Sequence, residues 1–244
     1  MASIEAIRSE FLTDLWLPLL IEGGKQFYPN QRKNKKMKMF VFTDEEVYGE
    51  VSEIISSRIT CEEKVYAWTD TLIKASRLQT LRPIAVLGSS RFEDTVIENI
   101  ESLLECMPFD IVIFDFSRQV LQQEPDRLEK EIGCIEHVLR AQRTVIINEG
   151  FVFLYTTFLD NQTLSCGKIK QSSDRVHVDE WSGLSVTALP TNANLDEEKM
   201  TAIRGIISQL LLKHKCKGNL SDKISANWDG KKLYSICGII LRRV

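Results

Sequence analysis

Asp115 ends an apolar run, Phe109-Asp-Ile-Val-Ile-Phe-Asp115-Phe-Ser117, and this puts an acid where a buried strand would leave its sheet. Continuous β-branched and aromatic runs mark parallel strands covered on both faces. In open α/β sheets ligands bind beyond the carboxyl ends of such strands. A second run, Arg143-Thr-Val-Ile-Ile-Asn148-Glu149-Gly150, brings Glu149 to another strand end. Paired carboxylates can do acid–base work or hold a metal. No third ligand or matching base accompanies Asp115 and Glu149, so no catalytic residue and no metal ligand is assigned. Gly88-Ser89-Ser90-Arg91 follows the run Ile84-Ala-Val-Leu87. A turn of small residues there can hold an anion on backbone N–H groups, or one of its serines can cap the next helix. Asp115, Ser89 and Ser90 are therefore the only candidates for cofactor binding, and no cofactor is expected. Asp44-Glu45-Glu46, after Met39-Phe-Val-Phe-Thr43, is open to two readings. An acid past a strand can take a ribose hydroxyl, but Thr-Asp-Glu-Glu also fits a helix capping box.

Several chemistries lack their residues. Gly23-Gly24-Lys25 has no glycine five positions before Gly24 and is followed by Gln26, so it does not make the phosphate loop G-x-x-x-x-G-K-[ST]. A glycine pair ending a helix is the expectation there. The chain has no H-E-x-x-H and no G-x-S-x-G, and it contains only three histidines. Its six cysteines form no C-x-x-C pair, which argues against zinc and for buried thiols in the cytosol or nucleus. No apolar run approaches the roughly 18 residues of a membrane span, and the opening residues lack a signal-peptide layout.

Charge is unevenly spread. Arg32, Lys33, Lys35, Lys36 and Lys38 form one basic segment, and Lys213, Lys215 and Lys217 open another that runs to the end. The net charge is only −3, so the remainder is strongly acidic. Such polarisation suits a polyanion, because Lys and Arg contact phosphates whatever the base sequence. These eight residues are the nucleic-acid-binding candidates, with solvated loops as the alternative reading.

The elements that would position these residues follow from periodicity. Ile4, Ile7, Phe11, Leu12, Leu15 and Trp16 predict a helix over 3–21 that Pro18 ends or bends. Residues 45–58 and 62–79 read as two amphipathic helices, the second with Val65, Trp68, Leu72, Ile73 and Ser76 on one face. Helices over 92–106 and 124–142 flank the central strand, with His137 on the outer flank of the second, and a strand over 144–147 follows. From Phe151 the pattern changes to an expected antiparallel hairpin through Asp160-Asn161, with further strands at 163–170 and 175–178. A helix from Asp196 and a strand over 233–241 complete the chain. The expected fold is α/β, a mainly parallel sheet flanked by helices (RecA-like or Rossmann-like) with a mixed β-hairpin/helix C-terminal extension. Its expected divisions are an N-terminal helix and basic loop (1–38), a parallel core (39–150) and an antiparallel completion of the same domain (151–244).

This order resembles two families. Phe109 to Ser117 is similar to the Walker B strand of RecA/Rad51-like ATPases, Phe40 to Glu45 to the strand ending in their catalytic acid, and Val145 to Asn148 to their sensor strand. With the phosphate loop absent, the resemblance implies a non-catalytic paralogue in a recombination and DNA-repair or tRNA-modification assembly. It also implies a hetero-oligomeric protein partner that is a related subunit, DNA or RNA nearby, and no membrane. The order also resembles class I S-adenosylmethionine-dependent methyltransferases. Ile84 to Ser90, Phe109 to Asp115 and Val145 to Gly150 would be the third, fourth and fifth strands, and Phe151 to Lys170 the closing β-hairpin. That resemblance implies a degenerate cofactor motif, since the glycine-rich first turn is missing. A purely structural interaction domain is the third expectation.

Overall fold

The computed structural model describes residues 3–28, 36–42, 48–69, 72–81, 84–88, 105–116, 127–144, 150–159, 195–226 and 232–242. Helix α1 (Ile4–Phe11) passes through a π turn (Leu12–Trp16) into α2 (Leu17–Phe27). Strand β1 (Met39–Phe42), α3 (Tyr48–Ser56), β2 (Val65–Trp68), α4 (Leu72–Leu81) and β3 (Ala85–Gly88) follow. Then come β4 (Ile111–Asp115), α5 (Arg127–Thr144), β5 (Gly150–Leu159), α6 (Leu195–Lys213), β6 (Cys216–Ala226) and β7 (Lys232–Arg242).

Among the described residues the strands form one seven-stranded sheet in the order β3-β2-β1-β4-β5-β7-β6. β1 pairs in parallel with β2 and β4, and β4 with β5, while β7 runs antiparallel to both β5 and β6. This is an α/β, mostly parallel, Rossmann-like sheet closed by an antiparallel hairpin. β1, β4 and β5 are buried along their whole length because helices cover both faces. Side chains alternate across the sheet. Phe40, Phe42, Val112, Phe114, Phe116, Phe153 and Tyr155 face one side, against Leu128, Ile135 and Leu139 of α5 and Ile203, Ile207 and Leu210 of α6. Their rings contact edge-on or tilted across neighbouring strands, as in Phe40–Phe114 and Phe114–Phe153, each 6.1 Å between centroids. Met39, Val41, Ile111, Ile113, Val152 and Leu154 face the other side, against Ile7, Phe11, Trp16 and Leu20 of the N-terminal helices and Val51 and Ile54 of α3.

Pro18 does not end the first helix. The π turn widens the backbone just before it, and the proline falls in the first turn of α2, where its missing N–H costs little. The Gly23–Gly24 pair lies inside α2 instead of ending it. A Cβ on Gly23 would stand 2.4 Å from Val152 Cγ2, so glycine lets this helix lie directly on β5. At the amino edge, Asp110 accepts from the Tyr28 hydroxyl and from the Lys38 backbone N–H at 2.8 Å, joining α2, β1 and β4. The Gln142 side chain clasps Phe109 through both its backbone groups, at 2.9 and 2.7 Å.

Three expectations need correction. The stretch read as one helix over 62–79 contains strand β2, and α4 starts only at Leu72. Val65, Trp68 and Leu72 fall at helical spacing across the end of β2, but Leu72 and Ile73, assigned inward, are 72% and 67% exposed. The fifth described strand is Gly150–Leu159; of the strand expected over 144–147, Thr144 belongs to α5 and the rest lies outside the described residues. The parallel part of the sheet therefore runs past residue 150, and Phe151–Leu159 is parallel β5 where an antiparallel hairpin was expected. The hairpin is formed by β6 and β7. The strands expected at 163–170 and 175–178, and the body of the helix expected over 92–106, lie outside the described residues.

Gly150 lies close against β7, since a Cβ there would meet the Ile240 carbonyl oxygen at 2.2 Å. Gly150→Ala must move backbone, and a loss of about 1–3 kcal/mol is expected in urea unfolding, as for an overpacked core. An unchanged midpoint would mean that the two strands part easily at that end.

Candidate functional site

The strand order reverses between β1 and β4: β2 and β3 lie to one side of β1, β4 and β5 to the other. In doubly wound sheets the carboxyl edge at such a point is where ligands bind. Phe42 ends β1 there, Trp68 ends β2, and Asp115 ends β4. Asp115 follows Ile113 by two residues and so shares its face, the face covered by α1 and α3.

There it meets Arg8. The guanidinium Nη2 donates to Asp115 Oδ2, and Nε lies 3.2 Å from Oε1 of Glu50, in the first turn of α3. Both the Arg8 and Asp115 side chains are fully buried, and that of Glu50 is 13% exposed. A polar row continues across the sheet in the same register, Asp115 opposite Thr156 and Thr156 opposite Ser235. The Thr156 hydroxyl donates to Ser235 Oγ at 3.2 Å, and the indole N–H of Trp16 donates to the same oxygen at 3.0 Å. Arg8 and Trp16 thus carry the N-terminal helices onto the carboxyl half of the sheet. At the rim, Lys223 of β6 pairs with Glu10 at 2.6 Å and Asp14 at 2.9 Å.

The opposite face holds a second buried polar contact at the same end: the Tyr155 hydroxyl donates to Glu131 Oε2 at 2.6 Å. Glu131 on α5 and Lys199 in the first turns of α6 are both buried. Tyr234 donates to Asp222 at 2.6 Å, and burial followed by that carboxylate pushes its hydroxyl well above the ordinary range. Among the described residues no three His, Cys, Asp or Glu side chains converge as a metal would need.

The predicted site residues fall as follows. Asp115 is at the carboxyl edge but is engaged with Arg8. Ser89, Ser90, Arg32, Lys33 and Lys35 lie outside the described residues, as do Asp44, Glu45, Glu46, Asn148 and Glu149. Lys36 Nζ donates to the Arg58 carbonyl at 2.7 Å, and Lys38 Nζ sits 5.0 Å over the Tyr66 ring. Lys213 pairs with Glu136 at 2.7 Å, while Lys215 and Lys217 are exposed. β7 runs against β5, so the start of β6 lies at the amino edge, as do Lys36 and Lys38 before β1. The described basic residues therefore occupy the edge opposite the switch point.

Sequence reasoning missed Arg8, Glu50, Trp16 and Ser235. A signal existed for Arg8, a charge embedded in the apolar helical stripe Ile4, Ile7, Phe11, Leu12. His137 is half-buried on α5, and burial lowers its pKa. Cys61, Cys106, Cys134, Cys216 and Cys237 are thiols, and burial pushes that of Cys237 up to about 12.

No protein-family model matches the chain, and no curated protein matches it. Among solved structures, the methyltransferase domain of bacterial CtHen1-C is similar at 10% identity and a TM-score of 0.44, over 92% of this chain and 98% of that one. The O-methyltransferase from Bacillus cereus in complex with SAH is 12% identical with a TM-score of 0.45, over 98% and 82%. A SAM-dependent methyltransferase from Methanosarcina mazei is 11% identical with a TM-score of 0.41, over 89% and 96%. The three are methyltransferases by their own descriptions; the expectation of a RecA/Rad51-like degenerate ATPase subunit in DNA repair is corrected on this chain's own sheet. The sheet gives its own reason. A Walker B acid must face nucleotide and metal, whereas Asp115 is buried against a guanidinium. The observed order is also the Rossmann order from β3 to β5, followed by the hairpin.

Two expectations follow from this geometry. Arg8→Met leaves Asp115 buried without its guanidinium and should cost about 3–5 kcal/mol in urea unfolding, with partial recovery in Arg8→Met/Asp115→Asn. A loss under about 1 kcal/mol, the range of exposed pairs, would show that water reaches the contact. On the other flank, His214 and then Lys213 hold the Glu136 carboxyl at about 2, below its ordinary 4.5. A depressed carboxylate stabilises the fold above its unfolded pKa and loses that contribution as pH falls through the folded one. Glu136→Gln should thus be less stable than the parent at neutral pH, with the gap closing between pH 4.5 and 2. Unfolding midpoints taken across that range check it; a gap independent of pH would contradict the ion pair.

Proposed function

We propose that this chain is a class I S-adenosylmethionine-dependent methyltransferase-like protein with a degenerate cofactor site, which binds the nucleoside part of such a cofactor at the carboxyl edge. The sheet carries this reading: five parallel strands in doubly wound order, then an antiparallel hairpin with β7 placed between β5 and β6. S-adenosylmethionine would supply an electrophilic methyl group when bound.

The sequence offers an acid for one half of that ligand. An acid shortly after the second strand can take ribose hydroxyls. The observed β2 ends at Trp68, so that acid is Asp70, two residues on in the sequence, and not Asp44. The other half does not fit. Its cradle requires glycines between β1 and α3 so that backbone can approach the ligand. Thr43-Asp-Glu-Glu-Val-Tyr48 stands there instead, and Gly49 is already helical, with open space where its Cβ would be. A ligand held only by its nucleoside end gains little from the remainder.

Calorimetric titration of the whole chain with adenosine and with S-adenosylhomocysteine tests this directly. The two should bind with affinities within about tenfold of each other, a spread of about 1.4 kcal/mol, and Asp70→Asn should weaken both. Absence of binding by either at millimolar concentration would overturn the reading. A strong preference for S-adenosylhomocysteine would show that the far half of the site is intact.

A further inference from the structure

The cations at the amino edge of the sheet differ from those at its carboxyl edge. Toward the carboxyl edge Lys223 pairs with Glu10 and Asp14, and Lys232 pairs with Asp196. At the amino edge Lys25, Arg58, Lys215 and Lys217 are exposed and, among the described residues, take part in no ion pair. Lys36 and Lys64 each give one ammonium N–H to a main-chain carbonyl, that of Arg58 at 2.7 Å and that of Lys36 at 3.2 Å. Each keeps two further donors. Glu22, Glu62, Glu63 and Glu105 offset part of this charge. Helix ends explain only some of the pattern. Lys25, in the last turn of α2, and Arg58, just past α3, meet the negative ends of helix dipoles. Lys217 already lies in β6 and Lys36 precedes β1, so no helix end calls for either.

These residues, far apart in sequence, form a row. Val65 is in register with Met39, so Lys64 stands beside Lys38 at the start of β2 and β1. At the other end Lys217 is opposite Leu241, which is opposite Gly150 at the start of β5. From β2 to β6 the row spans roughly 24 Å, because neighbouring strands lie about 4.8 Å apart. α2 lies on β5 between the two ends and brings Lys25 to the middle. We propose that this edge, from Lys64 through Lys36, Arg58 and Lys25 to Lys217 and Lys215, binds the phosphate backbone of a nucleic-acid strand without regard to base sequence. A cation held in an ion pair must break it to meet a phosphate. An exposed, unpaired one has only water to lose, and the contact releases a counterion from the strand. A row of such charges matches a linear chain of phosphates. The surface lies across the sheet from the adenosyl site, and its test uses no adenosyl compound.

The test is fluorescence anisotropy of the full chain with a labelled single-stranded oligothymidylate of about 20 nucleotides, titrated at several salt concentrations. Affinity should fall as salt rises, with about 0.7 in the log–log slope for each phosphate neutralised. Lys215→Gln/Lys217→Gln should weaken binding and flatten the slope by about 1.4. Lys25→Gln/Arg58→Gln, from the other segments of the row, should do the same. Lys223→Gln/Lys232→Gln removes as much charge from the carboxyl edge and should leave the slope unchanged. An oligonucleotide of mixed sequence should bind as oligothymidylate does. No binding at 20 mM salt, or an equal effect of the carboxyl-edge pair, overturns the proposal. So does an effect confined to one of the two amino-edge pairs, or binding to phosphatidylserine vesicles in the absence of binding to either oligonucleotide.

Discussion

The carboxyl half of this sheet depends on one buried charge pair, Arg8 with Asp115. Taking two ions out of water is costly, and their attraction repays the cost only with close geometry and further polar support. Glu50 supplies that support from α3. The pair also constrains docking. The apolar stripe of α1 alone, Ile7, Phe11 and Leu12, could slide along a sheet face of Ile113, Leu154 and Leu233 at small cost. A guanidinium that must meet one carboxylate removes that freedom. The Trp16–Ser235 hydrogen bond adds a second fixed point in the π turn.

The two faces of the sheet serve different ends. The face under α5 and α6 is largely aromatic, with Phe40, Phe114, Phe116 and Phe153 in contact across three strands, and admits polarity chiefly at Tyr155–Glu131. The face under α1 to α4 is aliphatic toward the amino edge and becomes polar in the row Asp115, Thr156, Ser235. That polar row lies at the ligand-binding edge of the fold, and the chain covers it with its own side chains.

How much of this could be read in advance follows from burial. β1 and β4 are covered on both faces, so Met39-Phe-Val-Phe and Ile111 to Phe114 appear as unbroken apolar runs and were legible. β2 is nearly as buried, but its Val65 and Trp68 fall at helical spacing with Leu72 of α4, which hid the strand. β5 was seen as an apolar strand from Phe151 but assigned to an antiparallel hairpin, because burial on both faces does not tell a parallel neighbour from an antiparallel one. β6 is an edge strand with Lys217, Asn219 and Ser221 exposed, and it gave no apolar signal. The site was half legible. Asp115 was found by its position at a strand end, while its partner is 107 residues away, a pairing that no local pattern contains.

The hydrogen bond from Trp16 to Ser235 spans 219 residues. Chains are synthesised from the amino end, and contacts this distant in sequence form late. α1 and α2 therefore leave the ribosome long before β7 exists to receive them. Until the hairpin is made, Trp16 lacks the hydroxyl it binds, and β5 lacks the neighbour that pairs with it along all ten residues. The helices that Trp16 fastens are thus made well before the strand that secures them.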